Sequence, residues 1–191
     1  MNNNLLIIGA GIYGVVAKEI AESMTCFGKI AFVDDAKKAT PNGIEVVGTC
    51  ADLRYLVCAY SNIVVAIGNP EIRLSLLQKI KEETPYRIVS LVSPYAYIAP
   101  SAQIKKGSII EPLAVIHTGC VIGTGCIISA GAVVNHASMC ADGVHVDCNA
   151  TVAGNTFVPA CTKVCSGTFF KKDPIDTSNL FLSQTNEQES K

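Results

Sequence analysis

The sequence predicts an α/β domain followed by a parallel β-helix, and two observations carry that prediction. Residues 1–97 alternate short apolar runs with helix-like periodic segments, whereas residues from Ile98 onward repeat every six. Charge divides the chain at the same place. Only six charged side chains (Lys105, Lys106, Glu111, Asp142, Asp147 and Lys163) lie between residues 98 and 169, as expected of a stretch that is mostly interior or interface.

Within the first part, "NLLIIGAG" is a short apolar strand ending in glycines, and "GVVAKEIAES" has helical periodicity. "KIAFVDD" gives a second strand, "CADLRYLVCAY" a weak helix and "NIVVAIGN" a third strand. "PEIRLSLLQKIKEE" opens with proline in its first turn and reads as a helix. "YRIVSLV" is the last strand of a parallel, Rossmann-like α/β domain over residues 1–92, short for a full dinucleotide fold.

The repeat runs through residues 93–170. Counting sixes from Ile98, the first positions are Ile or Val in every hexad but one, where Cys140 stands. The fifth positions, from Ala102 through Ala114, Cys120 and Cys126 to Thr168, are all small. A two-column pattern of this kind means stacked coils, each apolar residue lying on its equivalent in the next coil. Strands in adjacent coils would lie about 4.8 Å apart. The columns put four of the nine cysteines in or beside interior positions, where they are small buried hydrophobes. Residues 171–191 form a polar tail expected to be frayed or briefly helical.

Composition excludes several classes. A net charge of −1 with mixed signs gives no electrostatic case for nucleic acid or an anionic membrane. No run of apolar residues is long enough to span a bilayer, and "MNNNLLIIGAGIYG" makes a poor signal peptide. The cysteines form no C-x-x-C pair, so neither a structural zinc cluster nor any other metal is expected, and they fit a reducing cytoplasm.

"GAGIYG" satisfies G-x-G-x-x-G at Gly9, Gly11 and Gly14, between a strand and a helix, and Asp34 and Asp35 follow at the end of the second strand. Alone, that is a phosphate-binding turn with an acid for a ribose hydroxyl. It leaves three readings open: a sugar nucleotide, a nicotinamide cofactor, or a turn that only closes a strand–helix unit. In the repeat, His136, His145 and Gly154 stand nine residues apart. An imidazole suits proton removal near neutral pH.

The unbroken hexads, the preceding α/β domain and "LVSPYAYIAPSAQI" together resemble the hexapeptide acyltransferases of the PglD/NeuD type over residues 4 to about 170. Those are sugar N- and O-acetyltransferases of bacterial surface-glycan and sialic acid pathways. The resemblance implies a left-handed β-helix, a homotrimer with sites between neighbouring subunits, and acetyl-CoA as co-substrate. It implies that His136 is the base, that His145 lies beside the acetyl group, and that Gly154 offers a backbone N–H to the thioester oxygen. It also implies that Gly9, Gly11, Tyr13, Gly14, Asp34, Asp35, Gly68, Asn69 and Arg73 line a site for a UDP-linked amino-sugar.

The sequence departs from that family in four places, one of them "GNP" at residues 68–70, where "GNN" is common. Tyr13 and Val15 stand where the glycine turn usually carries His and a basic residue. Ala137 follows the base where an acid is usual, leaving Asn135, Asp142 or Asp147 as substitutes. The repeat also ends early, near Phe170, which shortens the expected coenzyme A site. His117 has no partner in the pattern and reads as a surface residue. Sialic acid O-acetylation and non-catalytic sugar-nucleotide binding are the alternatives to amino-sugar acetylation.

Overall fold

A computed structural model describes residues 2–172; the tail from 173 onward lies outside the described residues. The first domain contains β1 (Leu5–Ile8), α1 (Ile12–Ser23), β2 (Ile30–Val33), β3 (Val46–Gly48), α2 (Leu53–Leu56), β4 (Asn62–Val65), α3 (Pro70–Glu83) and β5 (Arg87–Ile88). Its sheet has the order β3-β2-β1-β4-β5, parallel throughout.

All four residues of β1 are buried, because helices cover both faces of the sheet. Leu5 and Ile7 pack with Ala17 and Ile20 of α1, while Leu6 and Ile8 pack with Leu77 and Ile80 of α3. Strand alternation thus feeds two cores from one run. The start of α3 is fixed by Pro70 and by Asn69, whose Oδ1 accepts from Ile72 N at 2.8 Å.

Two features differ from expectation. The edge strand β3 was not expected, since three residues are too few to show alternation. "YRIVSLV" is not one strand: Arg87–Ile88 closes the first sheet, and Leu91–Val92 (β6) pairs with Ile109–Ile110 (β9) in the coils. Coil pairing therefore begins at Leu91, before the break expected after residue 92, because one apolar run serves two sheets.

From β6 to β19 (Phe169–Phe170), two-residue strands stack into the three faces of a left-handed β-helix, each pairing with strands eighteen residues away in the neighbouring coils. The second residue of each strand points inward, and Ile116, Ile122, Ile128, Val134, Cys140, Val146, Val152 and Val158 are fully buried. Ala114, Cys120, Cys126, Ala132, Val144 and Ala150 fill the fifth column. Outward residues on the first face are Tyr97, Val115, Val133, Thr151 and Phe169; on the second, Gln103, Val121, Met139 and Phe157. The third face carries Leu91, Ile109, Ile127, His145 and Lys163. The α/β domain covers part of this third face, so Leu91 and Ile109 are buried with Leu5 and Ile7 although they point out of the coil.

A third column governs the corners. The fourth hexad position has positive φ from residue 107 to 167, occupied by glycine at 107, 119, 125, 131, 143 and 167. Leu113, Ala137, Asn149, Asn155 and Cys161 hold the same left-handed conformation without being glycine.

Candidate active site

His136 sits in the turn between β13 (Val133–Val134) and β14 (Met139–Cys140) and is exposed. Gly154 occupies the same corner one coil later, between β16 (Thr151–Val152) and β17 (Phe157–Val158). The coils are locked there by Asn155 N donating to His136 O at 2.9 Å. The imidazole lies directly against Gly154: a Cβ built on that residue would come within 2.8 Å of His136 Cε1 and Nε2. Glycine is needed here for close approach, not for an unusual φ. Ala153 N and Asn155 N both donate to coil carbonyls, whereas the Gly154 N–H between them has no acceptor among the described residues. An imidazole and an open backbone donor thus share one corner, and these are the two kinds of group that acyl transfer uses.

The substitutes considered for the missing acid are engaged elsewhere. Asn135 Oδ1 accepts from the backbone N of His136 at 2.8 Å, so it caps the turn. Asp142 Oδ1 accepts from Thr124 N at 2.7 Å, and Asp147 pairs with Lys163 at 2.9 Å. His117 is half-buried rather than fully at the surface, because it follows β10 (Val115–Ile116) at a coil corner.

His145 is the first residue of β15 (His145–Val146) and faces outward from the third face. Its Nε2 lies 3.0 Å from Ser129 Oγ and 3.8 Å from Asp147 Oδ1. Burial lowers its pKa, more than Asp147 raises it, and Lys163 and Arg73 push the same way as burial. One chain therefore does not bring His136 and His145 together: a corner between two faces holds one, and the opposite face holds the other.

The glycine turn forms as expected. Gly9 has φ +106°, and a Cβ there would meet Ala66 O at 2.8 Å; a Cβ at Gly14 would collide with Gly9 O. Gly11 is the N-cap of α1 and gives no side-chain cap, so no capping side chain takes the first-turn N–H groups. Asp34 bridges the turn, its Oδ2 accepting from Ala10 N at 2.8 Å and its Oδ1 from Ala36 N and Lys37 N. Burial would raise its pKa, but these three N–H donors outweigh it and hold the carboxyl below the usual range. Asp35 Oδ1 accepts from Cys50 N at 2.7 Å. Gly68 is open, with nothing near its Cβ position.

Three expected ligand contacts are spent within the protein. Asn69 caps α3. Arg73 is completely buried: Nε donates to Gly125 O, Nη1 to Ile67 O and Gly68 O, and Nη2 to Gly143 O, at 2.6–3.0 Å. It clamps the first domain to the coils, because only a planar fork reaches carbonyls on both. Tyr13 turns its hydroxyl into the domain junction, where the oxygen is buried without a partner among the described residues; burial, then the nearby Glu111 carboxylate, raises its pKa well above the usual value. Sequence reasoning missed Glu111 and Ser129, although their eighteen-residue spacing placed them one coil apart.

A groove of about 790 Å³ between α3 and the coils, lined in part by Leu74, Leu77, Lys81, Arg87 and Lys105, holds Asp142 but neither histidine of the expected site, nor the glycine turn. Among the described residues, no group of three His, Cys, Asp or Glu side chains could hold a metal, and no helix is long and apolar enough to cross a membrane.

A family model of the PglD N-terminal domain matches residues 4–80, and one of the bacterial transferase hexapeptide (six repeats) matches residues 101–136. The acetyltransferase domain of PglB from Neisseria gonorrhoeae FA1090, solved in complex with acetyl coenzyme A, is 32% identical, with TM-score 0.83 over 88% of this chain and 82% of that one. The chain belongs to the PglD/NeuD-type hexapeptide acetyltransferases. A second structure of the same Neisseria domain gives 29% identity and TM-score 0.84 over 92% of this chain and 95% of that one. PerB from Caulobacter crescentus, in complex with CoA and GDP-perosamine, shares the fold at 22% identity and TM-score 0.57, over 87% and 90% of the two chains. A search of curated proteins gave no match.

As a member of this family the protein is an acyltransferase.

Proposed function

We propose that this protein transfers the acetyl group of acetyl-CoA to an amino group of a UDP-linked amino-deoxysugar in bacterial surface-glycan biosynthesis, working as a cytoplasmic homotrimer. The observation that carries the reading is the imidazole of His136 packed against Gly154, whose backbone N–H is left open. His136 accepts the amine proton as the nitrogen attacks the thioester carbonyl. The Gly154 N–H stabilises the oxyanion, and collapse expels the CoA thiolate, which takes up a proton. Acetyl-CoA is the group bound by the Neisseria domain of similar sequence. The glycine turn at the start of α1, with Asp34 behind it, offers the place for the nucleotide diphosphate.

The trimer is supported by the uncovered first face, where Tyr97 and Phe169 are 57% and 67% exposed. It is also supported by the separation of His136 from His145 in one chain. One observation favours a non-catalytic sugar-nucleotide binder instead: no carboxylate follows His136, since position 137 is Ala.

The test is mass-spectrometric detection of acetylated product from acetyl-CoA and a panel of UDP- and GDP-linked amino-sugars plus a sialic acid, with His136→Ala alongside. Product lost in the variant establishes the reaction and its base. Product on the sialic acid alone would replace the amine acceptor by a hydroxyl. Binding of a sugar nucleotide without product would establish the binder.

A further inference from the structure

Glu111 follows β9 on the third face, with Ser129 one coil later and Asp147 one coil after that. Glu111 and Ser129 are only 8% and 3% exposed, at the junction where the α/β domain meets the coils. The Glu111 carboxylate is held at both oxygens: Oε2 accepts from Ala130 N at 3.0 Å, and Oε1 accepts from Ser129 Oγ at 3.2 Å. Ser129 Oγ also lies 3.0 Å from His145 Nε2.

A hydroxyl has one proton to give. Ser129 gives it to a carboxylate that can only accept, so its contact with His145 must be received from an Nε2–H. Asp147 Oδ1, 3.8 Å from the same nitrogen, favours the same tautomer. The other charged groups around the ring, Lys163 and Arg73, oppose a cationic imidazole, as burial does. A neutral ring carrying its proton on Nε2 leaves Nδ1 bare.

We infer that Glu111 is a positioning residue: through the Ser129 hydroxyl it holds the His145 proton on Nε2 and keeps Nδ1 an acceptor. The consequence for mechanism rests on the acetyl-transfer reading. A neutral His145 has no proton on Nδ1 to offer the thioester oxygen, so the Gly154 N–H carries that task. Through Nδ1, His145 instead receives an N–H or O–H of sugar or coenzyme.

Glu111→Gln makes the sharpest test. Ala130 N–H still requires an acceptor, so the amide oxygen stays there and the NH₂ faces Ser129. Ser129 then accepts from Gln and gives its own proton to His145 Nε2, which moves the imidazole proton to Nδ1. The shape is conserved and the relay is reversed.

The measurement is ¹⁵N NMR of histidine-labelled protein, in which protonated and bare ring nitrogens differ widely in shift. The chain has three histidines, so a His117→Gln, His136→Gln background leaves His145 alone. Protonated Nε2 in the parent and protonated Nδ1 in Glu111→Gln are expected. Protonated Nδ1 in the parent, or an unchanged pattern in the variant, overturns the inference. Ser129→Ala, which cannot reverse the relay, is expected to give a mixture; retention of a single Nε2–H form there overturns it too. With all other histidines native, Glu111→Gln should lower kcat by roughly tenfold or more with little change in KM for acetyl-CoA, as a wrong tautomer in intact geometry does. The NMR result stands independently of activity: the expected tautomers with no acetyl transfer would refute the transfer reading and leave the relay in place.

Discussion

The imidazole of His136 rests against Gly154 so closely that one added methyl group would come within 2.8 Å of the ring. Gly154 has no positive φ that would strain an alanine, so Gly154→Ala should cost little stability. The ring, however, must swing away from the Gly154 N–H. A fall in kcat of about a hundredfold is expected, since small misplacements of reacting groups cost that much. Steady-state kinetics beside a melting curve checks it: a large drop in Tm would mean that the corner is mainly structural.

Ala137, next to the proposed base, has φ +53°, a conformation that costs alanine on the order of 1 kcal/mol. Asp tolerates this region and would place a carboxylate beside the ring, where it stabilises the imidazolium formed on proton transfer. Ala137→Asp should therefore leave Tm unchanged or slightly higher and raise kcat, by about tenfold. An unchanged or lower kcat would show that the orienting group is supplied from elsewhere.

The coils and this corner were legible because their constraints repeat at a fixed period. Ile or Val in one column and small residues in another are what an interior of fixed width demands. The third column was also on the page, in glycines at 107, 119, 125, 131 and 143 that fall in step with the hexads. Arg73 was not legible. Its partners are backbone carbonyls 52 and 70 residues away, and a carbonyl leaves no mark on the sequence. Tyr13 was misjudged for a related reason: its place in the glycine turn suggested a ligand, while the coil face packed against α1 drew its hydroxyl toward Glu111.

Arg73 suggests a stability prediction. Removing its guanidinium leaves four buried or half-buried carbonyls short of a donor, each costing about 1 kcal/mol or more. Arg73→Met should lower Tm by about 10 °C. Arg73→Lys should restore little, because a single ammonium cannot span carbonyls of both domains. Recovery of most of the lost Tm by Lys would show that charge, not the fork, does the clamping.

His145 ties stability to pH. Its folded pKa lies below the ordinary value of 6.5, chiefly through burial, so the unfolded chain binds the proton first as pH falls. The native state is fully favoured above about pH 6.5 and loses stability as pH drops from there through the folded pKa. His145→Gln should flatten the Tm-against-pH curve in that window and leave the steeper acid limb of Asp34 and Asp147, whose folded pKa values are also depressed. A wild-type Tm that rises as pH falls below 6.5 would contradict the sign.

Nine residues are half a coil, so a histidine at a corner and another nine residues on face opposite ways in one chain. A site using both must take His136 from one subunit and His145 from its neighbour. Mixing makes this measurable. His136→Ala and His145→Ala chains should each be nearly inactive alone. Co-assembled in equal amounts into cyclic trimers, a site is intact when the subunit giving His136 is the His145 variant and its neighbour is the His136 variant. Random assembly makes that true of about one site in four, so about a quarter of the native activity should return. No recovery in verified mixed trimers would place the working site within a single chain, and an active His145→Ala chain would remove His145 from it.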